Sequence, residues 1–196
     1  MTNKISRDTI PLPLVRASIL GMPIKRATQE DFEEMKHHSV AALAAPVLSS
    51  TEMPTELYQR WKTQILGQIS YNANCRYAES LLPITVPYVV LKGTSAARYY
   101  PKPELRTLGD IDIMTRPEDV DTACESLLGN GYTETTSAAD EEKGRHRTFR
   151  KNGVLVEVHY SFAIMKDRDK AKRFDALITD HLDGSHVLPE IGRAHV

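Results

Sequence analysis

Two aspartates spaced for joint work stand in the middle of the chain, in Gly109-Asp110-Ile111-Asp112-Ile113-Met114. On a β-strand, side chains at i and i+2 share a face, so Asp110 and Asp112 point together while Ile111 and Ile113 turn to the core. Paired carboxylates repel and raise each other's pKa, and a divalent cation relieves that strain. Mg²⁺ suits the position because it takes hard oxygen ligands and binds through one or two carboxylates plus substrate phosphates. Asp-x-Asp by itself is common, and more often describes a solvated strand edge.

Other stretches bear on the pair. Val154-Leu155-Val156-Glu157-Val158-His159-Tyr160 alternates as a strand, with the valines on one face and Glu157 and His159 on the other. A glutamate in an otherwise apolar strand needs a partner, and a cation shared with the aspartates supplies one. His159 is open between a phosphate contact, an orienting bond to Glu157 and a plain hydrogen bond near the strand end. Val89-Val90-Leu91-Lys92-Gly93-Thr94-Ser95 runs from strand through glycine into hydroxyl residues, a turn whose backbone N–H groups can face a phosphate. Arg106 precedes Asp110 by four positions, and Arg145, His146, Arg147, Arg150 and Lys151 precede the Glu157 strand. These cations can neutralise a triphosphate; of the whole basic set, Arg106 and Lys92 are the stronger choices, and most of the others taken singly read better as a solvated loop and strand face.

Elements that would position these residues follow from the pattern. Residues 1–27 read as irregular, with Pro11, Pro13, Gly21 and Pro23 spread through them. Residues 28–83 read as a helical appendage. Thr28 caps a helix with Glu30 and Asp31 in its first turn, which continues to near Pro46. A second helix runs from Pro54 to Leu82, with Leu57, Trp61, Ile65, Leu66 and Ile69 as its buried stripe. Residues 84–183 form the α/β core. It holds strands at Tyr88–Leu91, Ile111–Met114 and Val154–Tyr160, a pairing of Thr133–Thr135 with Arg147–Arg150, and helices at Thr94–Tyr100, Pro117–Leu128 and Asp169–Leu182. The expected class is α+β: a small mixed sheet flanked by helices, with a helical region before it.

Composition closes off some functions. The 196 residues carry a formal net charge of -1, which gives no broad basic surface for nucleic acid. The two cysteines, Cys75 and Cys124, lie far apart without zinc-ligand spacing and read as buried thiols. No apolar run reaches the length of a bilayer span, the longest being Val40 to Leu48, and the N-terminus lacks the pattern of a secretory signal; the expected location is the cytoplasm.

Taken in order, Gly93-Thr94, Asp110, Asp112 and Glu157 resemble the signature of the nucleotidyltransferase superfamily with the DNA-polymerase-β-type palm. Within it, residues 30 to 182 are most similar to a little-characterised bacterial family. The shared motifs are Leu91-Lys92-Gly93, Tyr99-Tyr100-Pro101, Arg106 to Asp112 and Glu157-Val158-His159. Thr94 departs from the superfamily's usual Gly or Ser, and the spacer to Gly109 is long. The resemblance implies a nucleotidyltransferase palm in which Asp110, Asp112 and Glu157 bind Mg²⁺ or Mn²⁺ and act in catalysis. Lys92, Gly93, Thr94, Ser95, Arg106 and His159 then contact the nucleotide. The implied reaction moves AMP or another NMP from an NTP such as ATP to a hydroxyl on an unidentified small molecule, sugar, peptide or protein. The alternative is a non-catalytic nucleotide-binding or interaction module that retains the fold; a polymerase or tRNA-tailing enzyme fits the neutral charge less well. Residues 184–196 read as a truncated end, with 191–196 matching a sequencing-adapter frame, so a longer natural chain is expected.

Overall fold

The computed structural model describes residues 13–136, 146–161, 167–180 and 182. The chain divides into two compact units, one of residues 1–72 with 101–107 and one of residues 73–100 with 108–196.

The first unit is helical. Within the segment expected to be irregular, Pro13–Leu20 form helix α1, burying Leu14 and Ala17. Pro13 marks its first turn, where a missing N–H costs nothing, so the proline that suggested irregularity starts a helix. Helix α2 covers Gln29–His37 under a capping box: Thr28 Oγ1 accepts from Asp31 N at 3.2 Å and Thr28 N donates to Asp31 Oδ2 at 2.7 Å. The expected single helix to Pro46 does not form as one element. It stops at His37 because Ser39 takes φ 56°, with Ser39 N donating to Lys36 O and Val40 N to Met35 O. That bond pattern is a Schellman stop, and the chain continues as a 3₁₀ turn over Ala41–Ala44. Helix α3 spans Thr55–Ser80. Its Trp61 is fully buried beside Phe32 and Met35, with the Phe32 and Trp61 rings edge to face at 4.9 Å. Asn72, also on α3, donates to the carbonyls of Glu104 and Arg106 at 2.8 Å each, which ties residues 101–107 to this unit.

The second unit holds the sheet. Its strands are β1 (Val89–Val90), β2 (Ile111–Met114), β3 (Thr133–Glu134), β4 (His146–Lys151) and β5 (Val154–His159), in the order β1-β2-β5-β4-β3. Its helices are α4 (Thr94–Ala97), α5 (Val120–Gly129) and α6 (Arg168–Thr179). The sheet is mixed: β2 and β5 run parallel, and the other neighbouring pairs run antiparallel. Strand β2 begins and ends where the alternation predicts, and Thr133–Glu134 pair with β4 as expected, Thr133 opposite Arg150. Pro117 opens a 3₁₀ turn that leads into α5.

Two connections set the site. The β4–β5 turn is Asn152-Gly153 with φ 50° and 79°, the two-residue geometry whose twist matches the flanking strands. It fixes Lys151 opposite Val154 and, by the register, His146 opposite His159. The parallel pairing puts Asp112 beside Glu157 and Met114 beside His159. Val154, Val156 and Val158 are buried on the other face, in a unit whose core also holds Ile113, Leu127 and Phe149. No helix among the described residues is long and apolar enough to cross a membrane.

Candidate active site

Three carboxylates meet on the polar face of β2 and β5. Asp110, Asp112 and Glu157 each offer an oxygen, and these lie within 4.8 Å of one another. Asp112 is the centre of the group, its side chain 0 % exposed. Lys92 Nζ sits 2.9 Å from its Oδ1 and 3.9 Å from Asp110 Oδ2. His159 Nε2 lies 3.1 Å from the same Asp112 Oδ1 and 3.1 Å from Glu157 Oε2. Asp112 Oδ2, by contrast, is buried with no hydrogen-bond partner among the described residues.

The electrostatics follow from this crowding. Burial pushes Asp112 upward, but the bonds from His159 and Lys92 and their charges outweigh it and hold the carboxyl below its ordinary range. Asp110 goes the other way: burial and the Asp112 charge raise it against the pull of Lys92. Burial lowers Lys92 and His159, yet the hydrogen bonds and charges of the acids more than reverse this and raise both. Lys92 and the His159 imidazole thus both stand among the acids.

The Lys92–Ser95 turn lies against this group. Leu91 N donates to Asp112 O at 3.0 Å, and a Cβ on Gly93 would stand 3.5 Å from Asp110 O. Gly93 has φ 62° and ψ -115°, a conformation that L side chains rarely adopt. The 3.5 Å gap is ordinary contact, so Gly93→Ala is expected to cost about 1–3 kcal/mol through backbone strain alone. Urea denaturation measures it; a cost below the error of the method would show that the backbone relaxes freely there. Thr94 Oγ1 donates to Glu79 Oε2 at 2.5 Å, and burial raises the Glu79 carboxyl against that bond. Ser95 N donates to Lys92 O at 3.2 Å.

The sequence-predicted basic residues separate. His146 comes to the site, its Nε2 3.9 Å from Glu157 Oε1 and its ring centroid 4.9 Å from that of His159. Arg147, one residue on, points to the other face and forks onto Glu134 at 2.8 and 2.7 Å, with Asp121 at 3.3 Å. Arg150 is exposed, and Lys151 Nζ donates to Asn130 O at 2.7 Å. Arg145 lies outside the described residues. Arg106 belongs to the first unit, where its guanidinium donates to Thr107 O at 3.2 Å. The residue that sequence reasoning undervalued is His146. The signal that could have found it is the Asn152-Gly153 turn, from which the cross-strand partner of His159 follows by counting.

A family model described as an uncharacterised nucleotidyltransferase matches residues 28–189. The chain belongs to this nucleotidyltransferase family. No curated protein and no solved structure gives a match. In this chain an acidic cluster lies on β2 and β5 with Lys92 and two imidazoles around it. The α+β class with a mixed sheet agrees with membership.

Proposed function

We propose that this chain transfers a nucleoside monophosphate from a nucleoside triphosphate to a hydroxyl on a small molecule, sugar, peptide or protein. The convergence of Asp110, Asp112 and Glu157 within 4.8 Å carries the reading. Asp112 Oδ2, buried and without a partner among the described residues, supports a cation there, because a buried carboxylate oxygen without a donor is costly and matches a hard ion. The set fits Mg²⁺ or Mn²⁺, which Asp110, Asp112 and Glu157 would hold. When bound, the ion supplies positive charge against the triphosphate and the charge that develops in transfer.

The chain's own groups do the rest. Lys92, whose Nζ now rests on Asp112, turns its charge to a phosphate oxygen. Gly93, Thr94 and Ser95 form the turn beside the phosphates, and His159 keeps Asp112 and Glu157 in place. Arg106 is assigned a phosphate contact on sequence grounds alone. Glu157 takes the acceptor's proton as the new oxygen–phosphorus bond forms at the α-phosphorus; the bond to the bridging oxygen breaks, and pyrophosphate leaves with its electron pair. Positioning and charge neutralisation supply most of the rate.

Calorimetric titration with each of the four ribonucleoside triphosphates, with and without Mg²⁺, tests this. Binding that needs the metal is expected, and the tightest triphosphate is the donor. Absence of binding by folded protein would turn the balance to a non-catalytic module. That second reading draws support from the Thr94 hydroxyl, already committed to Glu79 rather than to a phosphate.

A further inference from the structure

We infer that His146, Glu157 and His159 form a second cation position, beside the aspartates, that takes a first-row transition-metal ion in preference to Mg²⁺. It goes beyond the proposed transfer reaction and shares Glu157 with it.

The strand register makes this position. His146 and His159 are cross-strand partners on β4 and β5, and Glu157 is two residues from His159 on the same face. One atom from each of the three lies within 4.8 Å of the others. The two imidazoles address different oxygens of one carboxylate: His159 Nε2 is 3.1 Å from Oε2, and His146 Nε2 is 3.9 Å from Oε1. Donors around an ion with bonds of about 2.1 Å stand about 3–3.5 Å apart. The first pair already has that spacing, and the second needs a shift of about half an ångström.

A second observation points the same way. His159 Nε2 carries at most one hydrogen, yet it faces both Asp112 Oδ1 and Glu157 Oε2 at 3.1 Å. One hydrogen is thus shared between two carboxylates in a buried place, His159 being 8 % exposed. An ion satisfies Nε2 and the Glu157 oxygen together and frees Asp112 Oδ1 for Lys92. The donor chemistry decides which ion. Two imidazole nitrogens with one carboxylate suit Mn²⁺, Co²⁺ or Zn²⁺, whereas Mg²⁺ keeps to oxygen and its own water.

The test is pulsed electron paramagnetic resonance on the full chain with Mn²⁺ alone, which detects directly bound imidazole nitrogen. The wild-type protein is expected to show coupling to two imidazoles, and Zn²⁺ is expected to displace that Mn²⁺ at concentrations where Mg²⁺ does not. His146→Ala and His146→Gln should each keep one imidazole and bind Mn²⁺ at least about tenfold more weakly. Asp110→Asn/Asp112→Asn should retain both couplings. Mn²⁺ bound by wild type without nitrogen coupling overturns the inference and leaves the carboxylate reading standing, since the ion then sits on the aspartates. Coupling unchanged in both folded His146 variants overturns it as well. Two couplings in wild type, with no metal-dependent nucleotide binding, would instead uphold this site and sink the proposed reaction. The wild-type spectrum decides whether imidazole binds, so a variant that fails to fold does not remove the test.

Discussion

Asp112→Asn is expected to abolish Mg²⁺-dependent nucleotide binding and to lower nucleotidyl transfer by about a thousandfold or more. Asparagine keeps the shape of the side chain and removes the charge. Asp112 is the fully buried member of the carboxylate group, and its Oδ2 is the oxygen left without a donor among the described residues. An amide in that place presents either a neutral oxygen or an N–H pair, and neither answers a hard cation. The fold should survive, because Lys92 is half exposed and regains water when its partner loses charge. Calorimetry with Mg²⁺ and the preferred triphosphate checks binding, and pyrophosphate release checks transfer. A folded Asp112→Asn protein that binds nucleotide with wild-type metal dependence would remove Asp112 from the site.

The largest effect on stability is expected at Trp61. The residue is fully buried in the helical unit, edge to face with Phe32, whose ring also lies 4.7 Å from the Arg60 guanidinium carbon. Trp61→Ala removes a large side chain from a close-packed cluster and should cost about 3–5 kcal/mol. Trp61→Phe should cost less than half as much. The indole Nε1 is buried without a hydrogen-bond partner among the described residues, so phenylalanine loses volume but also sheds a donor unsatisfied there. Urea denaturation followed by circular dichroism measures both, since either change removes the sole tryptophan of the chain. A cost below about 1 kcal/mol for alanine would mean that the cluster does not pack around this ring.

These two residues differ in how readily the sequence disclosed them. Trp61 stands in an apolar stripe of period three to four, and a helix that buries Leu57, Trp61 and Ile65 follows from that spacing, whereas Leu66, expected in the same stripe, lies off that face and is exposed. Asp112 was legible through alternation, because period two sends both aspartates to one face whatever the strand pairs with. The end of α2 was hidden, since Ser39 adopts a left-handed conformation that composition assigns to glycine or asparagine. Helix α1 was hidden for the opposite reason: Pro13 signals a break when read alone and a start when read in place.

The sequence by itself determined the acidic character of the candidate site. Residue type fixes hard oxygen chemistry, and strand periodicity fixes the shared face of Asp110 and Asp112 and of Glu157 and His159. Family membership also rests on ordered motifs in one dimension. Which distant residues stand together was decided only in three dimensions. The parallel pairing of β2 with β5 brings Glu157 beside Asp112, and the antiparallel return of β4 brings His146 to His159 while sending Arg147 to Glu134. Adjacent positions on a strand face opposite ways, so one residue of register separates a group at the site from one locked in a salt bridge on the other face.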